Sequence, residues 1–579
     1  MSTMSNRRIL AAGGVAALLL TGAAGAQRGS KPATPQEGDA AGLFVDTVNV
    51  SVVNVDVYVS DKKGNRINGL TREDFEVFED GRPVAVTNFY AVEDGKATTP
   101  APEPAPAAPT EPAVPGPPGL PGLNEVKTPE DQRLRLVVYI DNFNLRPFNR
   151  NRVMRELRAF IGQKLGRGDQ MMLVSYDRSL HVRRQFTSDP HLIATALLEL
   201  EKVSGQGVHQ DSDRREVLRQ IEDSQSVNEA TIYARSYSQA AFNDLSFSID
   251  AMRNITDSLA GLPGRKAILY VSDGLQMIAG QDIWYAVQGK YGEKSTGLTE
   301  QFEFDASRRF EELAAQANAN RVTFYTIDAA GLRTYSSISA ETATAGQPGQ
   351  GVFVDSIQIS NLQTPLQMIA EKTGGVAIIN SNVVTPQLEK IASDFNTYYS
   401  LGYTPTHYGD GRYHKIEVKV KRKGLEVRHR EGYRDKTTES RMSDGTLATL
   451  RFPFENNPLG IELETGTPTR RSDGYYLQPI NVKVPLGKLV LVPRGATSEA
   501  RVRLFVAAID TEGNTSEQVQ QIPLPISIPA ADVASAVGKY YVYTVNLLMR
   551  GGDQKVAVGV RDDVAAEASF ISRAVRVGG

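Results

Sequence analysis

Cysteine is absent from all 579 residues. The chain therefore has no disulfide framework, no thiolate nucleophile and no cysteine-based zinc site. Histidine is also scarce. The six residues His181, His191, His209, His407, His414 and His429 include no pair at the HxxxH spacing that sets two imidazoles on one helix face. Metal-hydrolase and iron chemistries thus start without their usual ligands. Neither a GxSxG nucleophile elbow nor a phosphate-binding P-loop is present. A net charge of −3 gives neither a polyanion nor an anionic membrane surface an electrostatic reason to bind, so nucleic acid is not expected as a partner. After the first two dozen residues, no apolar run approaches the roughly 20 residues of a membrane-spanning helix.

What is present reads as a multidomain protein, since 579 residues exceed what one hydrophobic core organises. Arg7 and Arg8, an apolar run from Ile9 to Leu20 and the small-x-small site Ala24-Gly25-Ala26 read as a signal peptide over residues 1–26. A retained membrane anchor is the alternative. The rest of a twin-arginine motif is missing, and no cysteine follows for lipid attachment. The mature chain is expected to have no transmembrane segment and to be exported, periplasmic or extracellular.

A polar tether (27–43) leads to an N-terminal β unit (44–95). There Val53, Val55, Val57 and Val59 alternate with polar residues, and Asp80-Gly81 marks a hairpin. Residues 96–130 are proline-rich and read as a solvated spacer, with a docking ligand for a proline-reading domain as the alternative. Over 131–399 the pattern changes to buried strands alternating with helices: "LRLVVYID", a helix over 149–165, "MMLVSYD", "HVRRQFTSD", a helix opened by Asp189-Pro190, "KAILYVSDG" and "RVTFYTID". This alternation predicts an α/β doubly wound, mostly parallel sheet flanked by β-rich domains, in a multi-domain α+β chain overall. The polar stretch 204–238 has no clear periodicity. Residues 400–435 return to β. A hairpin about Lys423-Gly424 is expected there, with an apolar face (Ile416, Val418, Val427) and a solvated basic face (Lys415, Lys419, Lys421, Arg428, Arg430). Joint packing of this segment with 44–95 is expected. Residues 440–579 predict a C-terminal β-sandwich.

Three strands of the α/β region end in aspartate: Asp141, Asp273 and Asp328. In open parallel sheets, ligand groups gather at such strand ends, and convergent carboxylates are what a hard divalent cation requires. "VVYIDNFN", "MMLVSYD…VRRQFTSD" and "GRKAILYVSDG" together resemble the von Willebrand factor type A domain, which carries a metal-ion-dependent adhesion site. With "GLTREDFEVFEDG", "YYSLGYTP" and "VRHREGY", the span 44–434 resembles the VWFA-related family of Acidobacteria. The resemblance implies a cation held by a DxSxS strand end, a threonine and a final (T/S)DG aspartate. Asp141 and Asp273 match the two aspartates. The two serine positions are Phe143 and Leu145, which cannot ligate, and no residue in 204–238 is assigned as the threonine.

Asn144, one position out of register, offers a carbonyl oxygen, so the candidate metal residues are Asp141, Asp273 and Asn144, for Mg²⁺ or Ca²⁺. The alternative is a degenerate site in which Asp141 caps a helix and the asparagines satisfy turn backbone. Asp328 has a turn-forming reading of the same kind, and His181 near Asp177 reads as a surface residue rather than a base. The expectation is a secreted or periplasmic, non-enzymatic protein-binding protein with an unidentified protein partner. The alternatives are an envelope structural module whose sheet binds no metal, and a metal-assisted hydrolase.

Overall fold

The computed structural model describes residues 52–93, 96–98, 133–164, 169–205, 207–333, 348–452, 456–511, 513, 515–516 and 518–578. The expected signal peptide, the tether and the proline-rich segment beyond residue 98 lie outside them. The described residues divide into two compact units, one within 51–437 and the other within 438–579.

The first unit opens with strands β1 (Val53–Asp61), β2 (Phe75–Glu79), β3 (Arg82–Val84), β4 (Val86–Glu93) and β5 (Lys96–Thr98). Thr71 and Asp74 form a capping box around one 3₁₀ turn, and Asp80 and Gly81, both at positive φ, make the β2–β3 hairpin turn. The α/β region follows as β6 (Leu134–Asp141), α1 (Pro147–Lys164), β7 (Gln170–Tyr176), β8 (Leu180–Thr187), α2 (Pro190–Leu200), α3 (Gly207–Asp223), α4 (Val227–Ser258) and β9 (Arg265–Ser272). It continues through α5 (Gln281–Tyr291), the single turn α6 (Gly297–Glu300), α7 (Ser307–Ala319), β10 (Val322–Asp328), α8 (Pro348–Lys372), β11 (Ala377–Ile378) and α9 (Thr385–Asn396). Strands β12 (Tyr398–Tyr403), β13 (Tyr413–Val420), β14 (Leu425–Arg428) and β15 (Gly432–Arg434) complete the unit.

The central sheet has the order β11-β10-β9-β6-β7-β8, parallel throughout except for the antiparallel edge strand β8. Chain order reverses between β6 and β9. This is the switch point at which a doubly wound sheet opens a crevice. Every residue of β6 is buried, as a central strand covered by helices on both faces requires.

Two further sheets, β14-β1-β12-β4-β5 and β15-β13-β2-β3, enclose a core that includes Val55, Val57, Leu401, Ile416, Val418 and Tyr403. The expected β13–β14 hairpin does not form. β13 pairs with β2 and β15 while β14 pairs with β1, so the Lys423-Gly424 turn passes from one sheet to the other. Both strands turn apolar residues into the shared core, and that burial outweighs the local pairing a tight turn favours. Two residues of the expected solvated basic face are instead partly buried and paired within the protein. Arg428 donates to both oxygens of Asp394 (3.0 and 2.8 Å), and Arg430 donates to the Asn54 carbonyl (2.8 Å). Strand β5 pairs with β4, so the β region reaches three residues into the expected spacer.

The stretch 204–238 holds helix α3 and the first part of α4. Ser226 caps α4, accepting from the Glu229 N–H, while Glu229 accepts from the Gln225 N–H. Helix α8 also carries little apolar patterning in its first half. Its inward face carries a charge that apolar periodicity does not reveal: Arg214 of α3 is buried between Asp282 of α5 (2.6 Å) and Asp355 of α8 (3.4 Å).

The second unit begins with a helix, α10 (Thr438–Arg451), where the sequence suggests strand from residue 440. Strands β16 (Glu462–Thr465), β17 (Thr469–Arg470), β18 (Tyr476–Pro485), β19 (Val492–Arg494), β20 (Thr497–Asp510), β21 (Gln520–Pro529), β22 (Tyr540–Met549), β23 (Gly552–Asp562) and β24 (Glu567–Val577) form two antiparallel sheets around one apolar core. Helix α10 covers the outer face of the larger sheet, with Leu450 against Ala507 and Ala557. A Cβ on Gly445 would lie 2.5 Å from the Phe570 ring, so the helix sits too close for any larger residue.

Candidate functional site: the strand-end cleft

Strands β6, β9 and β10 deliver Asp141, Asp273 and Asp328 to adjacent ends of the sheet. Each carboxylate is held differently. Asp141 is buried and accepts four hydrogen bonds: the Asn144 N–H (3.2 Å), the Asn144 side-chain amide (2.7 Å), the Ser272 hydroxyl (3.2 Å) and the Tyr270 hydroxyl. Burial pushes its carboxyl above the usual carboxylate range, and these donors pull the other way.

Phe143 and Leu145, at the serine positions of the resemblance, are buried; Leu145 joins the sheet–helix core and Phe143 meets Tyr176 edge-on at 6.2 Å. Asn142 is fully buried, donating to the Ser204 carbonyl (2.8 Å) and accepting from Arg150. The side-chain carbonyl of Asn144, the oxygen available to a cation, accepts from Gln210 (3.1 Å).

Asp273 accepts on Oδ2 from the Arg146 N–H (2.9 Å) and the Asn149 amide (2.9 Å). Its Oδ1 is buried and has no hydrogen-bond partner among the described residues. Burial raises this carboxyl to about 6, against the lowering pull of the Arg146 N–H, Asn149 and the charges of Arg146 and Arg333. Asp328 holds Arg333 (2.8 Å), accepts from Gln363 (2.8 Å) and caps the Ala330 N–H (3.1 Å). Arg333 also donates to the Asp273 carbonyl.

A cation of the adhesion type needs several free oxygen lone pairs in one place. Here hydrogen-bond donors take both oxygens of Asp141, a guanidinium sits on Asp328, and Asp273 Oδ1 is the unclaimed oxygen among these groups. The residues present do not fit such a cation in this arrangement.

Asp273 lines a cleft of about 340 Å³ walled by α3, α4, the segment after β9 and α8, with Arg146, Gln210, Asp211, Tyr237 and Arg333 contributing polar groups. Gly274, at φ +119°, lets α8 approach: a Cβ there would lie 2.7 Å from Leu362 Cβ and 2.9 Å from the Leu362 carbonyl. Gly274→Ala is expected to lower stability by about 1–3 kcal/mol through overpacking and backbone strain. A thermal melt checks this; an unchanged midpoint would show that α8 yields freely.

His181 stands on β8, outside this cleft. Its Nε2 meets both Asp177 (2.8 Å) and Ser179 (2.9 Å), whereas a catalytic triad uses opposite ring nitrogens for acid and hydroxyl. Sequence reasoning missed Arg146, Asn149, Tyr270 and Arg333. Arg146 and Asn149 lie within a few residues of Asp141, but nothing in the sequence pairs them with a carboxylate 124 or more positions away.

No protein-family model matches the chain, and no curated protein matches it. Among solved structures, an aerotolerance-related membrane protein from Bacteroides fragilis NCTC 9343 aligns at 12% identity and TM-score 0.21, over 45% of this chain and 98% of that one. BatB from Bacteroides thetaiotaomicron aligns at 11% identity and TM-score 0.20, over 45% and 96%. The manganese-loaded TRAP protein of Plasmodium vivax aligns at 10% identity and TM-score 0.22, over 52% and 95%. At such scores the fold assignment rests on this chain's own strand order and connectivity.

Proposed function

We propose that the protein is an exported, non-enzymatic binding protein that receives a protein partner in the strand-end cleft without a bound cation. The observation that carries this reading is Asp273 Oδ1, a buried carboxylate oxygen lining a cleft and lacking a hydrogen-bond donor. An unsatisfied buried acceptor of this kind costs about 1–3 kcal/mol. An incoming N–H or ammonium group from a partner would relieve that cost.

The saturated Asp141 supports the cation-free form: its inherited position is kept, but a hydrogen-bond network stands where metal ligands are expected. Export rests on the sequence of residues 1–26. Among the described residues, no helix is long and apolar enough to cross a membrane.

Pull-down from envelope extract with the wild type and Asp273→Asn, each with and without chelator, tests the reading. A protein captured by the wild type should be lost with the variant and retained under chelator. Equal capture by both chains would remove the cleft from consideration, and chelator-sensitive capture would restore an adhesion-type cation. Calorimetric titration with Mg²⁺ or Ca²⁺ is expected to give only heat of dilution.

A further inference from the structure

The β-sandwich of the first unit brings together two of the chain's six histidines. His407, in the turn after β12, and His414, on β13, stack with ring centroids 3.8 Å apart. Each ring is oriented by a carboxylate behind it: His407 Nδ1–H donates to Asp435 (3.0 Å) and His414 Nδ1–H to Asp80 (2.8 Å). A carboxylate behind Nδ1 is the usual support of a metal-ligating imidazole, which binds through Nε2 once that nitrogen is free of its proton.

The Nε2 of His407 is buried without a hydrogen bond among the described residues, 3.3 Å from Glu79 Oε2, while that of His414 is hydrogen-bonded to the Asp410 carboxylate (3.2 and 3.3 Å), the bond an ion would replace. One ligand atom from each of His407, Asp410 and His414 falls within 4.8 Å of the others. Zinc bonds of about 2.0–2.2 Å to nitrogen and oxygen give a tetrahedron edge of roughly 3.3–3.5 Å, close to the His414–Asp410 separation.

Asp410 is itself held in place. It lies between Gly409 and Gly411, both at positive φ, and accepts from the Arg412 N–H (2.8 Å). Four acidic side chains, Glu79, Asp80, Asp410 and Asp435, contact the two imidazoles.

We propose that His407, His414 and Asp410 form a site for a divalent transition-metal ion, Zn²⁺ in the first instance, with water completing the coordination. An ion must lie in the plane of each ring it binds, so loading splays the stacked imidazoles apart. The proposal is independent of the cleft and of what binds there.

The test is calorimetric titration of the untagged full-length chain with Zn²⁺ above neutral pH, together with Co²⁺ titration read by visible absorption. One ion per chain is expected, with a tetrahedral Co²⁺ spectrum. His407→Gln and Asp410→Asn should each weaken binding at least about tenfold, and Asp435→Asn by about ten- to a hundredfold through the loosened ring. His181→Gln, away from the cluster, should leave affinity unchanged. Asp410→Asn keeps an oxygen for the Arg412 N–H, and its melting midpoint without metal separates loss of ligation from loss of the His414 contact. Absence of binding, or equal affinity in the wild type, His407→Gln and Asp410→Asn, would overturn the proposal.

Discussion

Asp394→Ala is expected to destabilise the first unit by about 3–5 kcal/mol, the usual penalty for removing one partner of a buried ion pair. Asp394 ends α9 and is fully buried. Both its oxygens accept from Nη2 of Arg428 on β14, and it also accepts the Tyr325 hydroxyl from β10 (3.2 Å) and the guanidinium of Arg66 from the loop after β1. The carboxylate thus ties the central sheet to the β-sandwich through three separate elements. Its removal leaves Arg66 and Arg428 facing each other with no counter-charge. Burial and the Arg428 charge already hold Arg66 down to about 10, which shows how poorly the site tolerates positive charge alone. Urea denaturation of both chains measures the effect. A loss below about 1 kcal/mol would mean that water enters and solvates the two guanidinium groups.

Asp273→Asn is expected to act in the opposite direction. The folded carboxyl titrates at about 6, above its ordinary 3.8. A raised acid pKa means that the folded chain holds a proton the unfolded chain has released, so stability falls as pH rises from about 4 through 6. Above that window the ionised group costs up to about 3 kcal/mol, and the neutral amide removes this cost while still accepting from Arg146 and Asn149. Asp273→Asn should therefore match the wild type near pH 4 and exceed it by about 1–3 kcal/mol at pH 8. Denaturation curves at the two pH values check this, and a gap independent of pH would exclude ionisation as its origin. A residue kept at a cost to stability fits a binding role, because sites are where folds carry unfavourable groups.

The strands that build the cleft were legible because their signals are local. The buried runs ending at Asp141, Ser272 and Asp328 and the Asp189 cap before Pro190 all stand in the structure. α3 and the start of α8 were not legible, because α3 turns the ion-paired Arg214 inward and α8 its partner Asp355 rather than an apolar stripe. The Ser226-x-x-Glu229 pattern, with Ser226 capping α4, was a readable sign of that helix that periodicity alone passed over.

By itself the sequence determined where chain direction changes, which residues are apolar enough to form central strands, and that three aspartates end them. Those facts follow from periodicity and composition over a few residues. Only the tertiary structure decided how each polar group is satisfied. Asn144 closes on Asp141, Arg333 takes Asp328, Asp273 Oδ1 is left without a donor, and His407 meets His414 although their spacing fits no metal motif. Hydrogen bonds and ion pairs act over a few ångströms, and folding sets those distances between residues far apart in the chain.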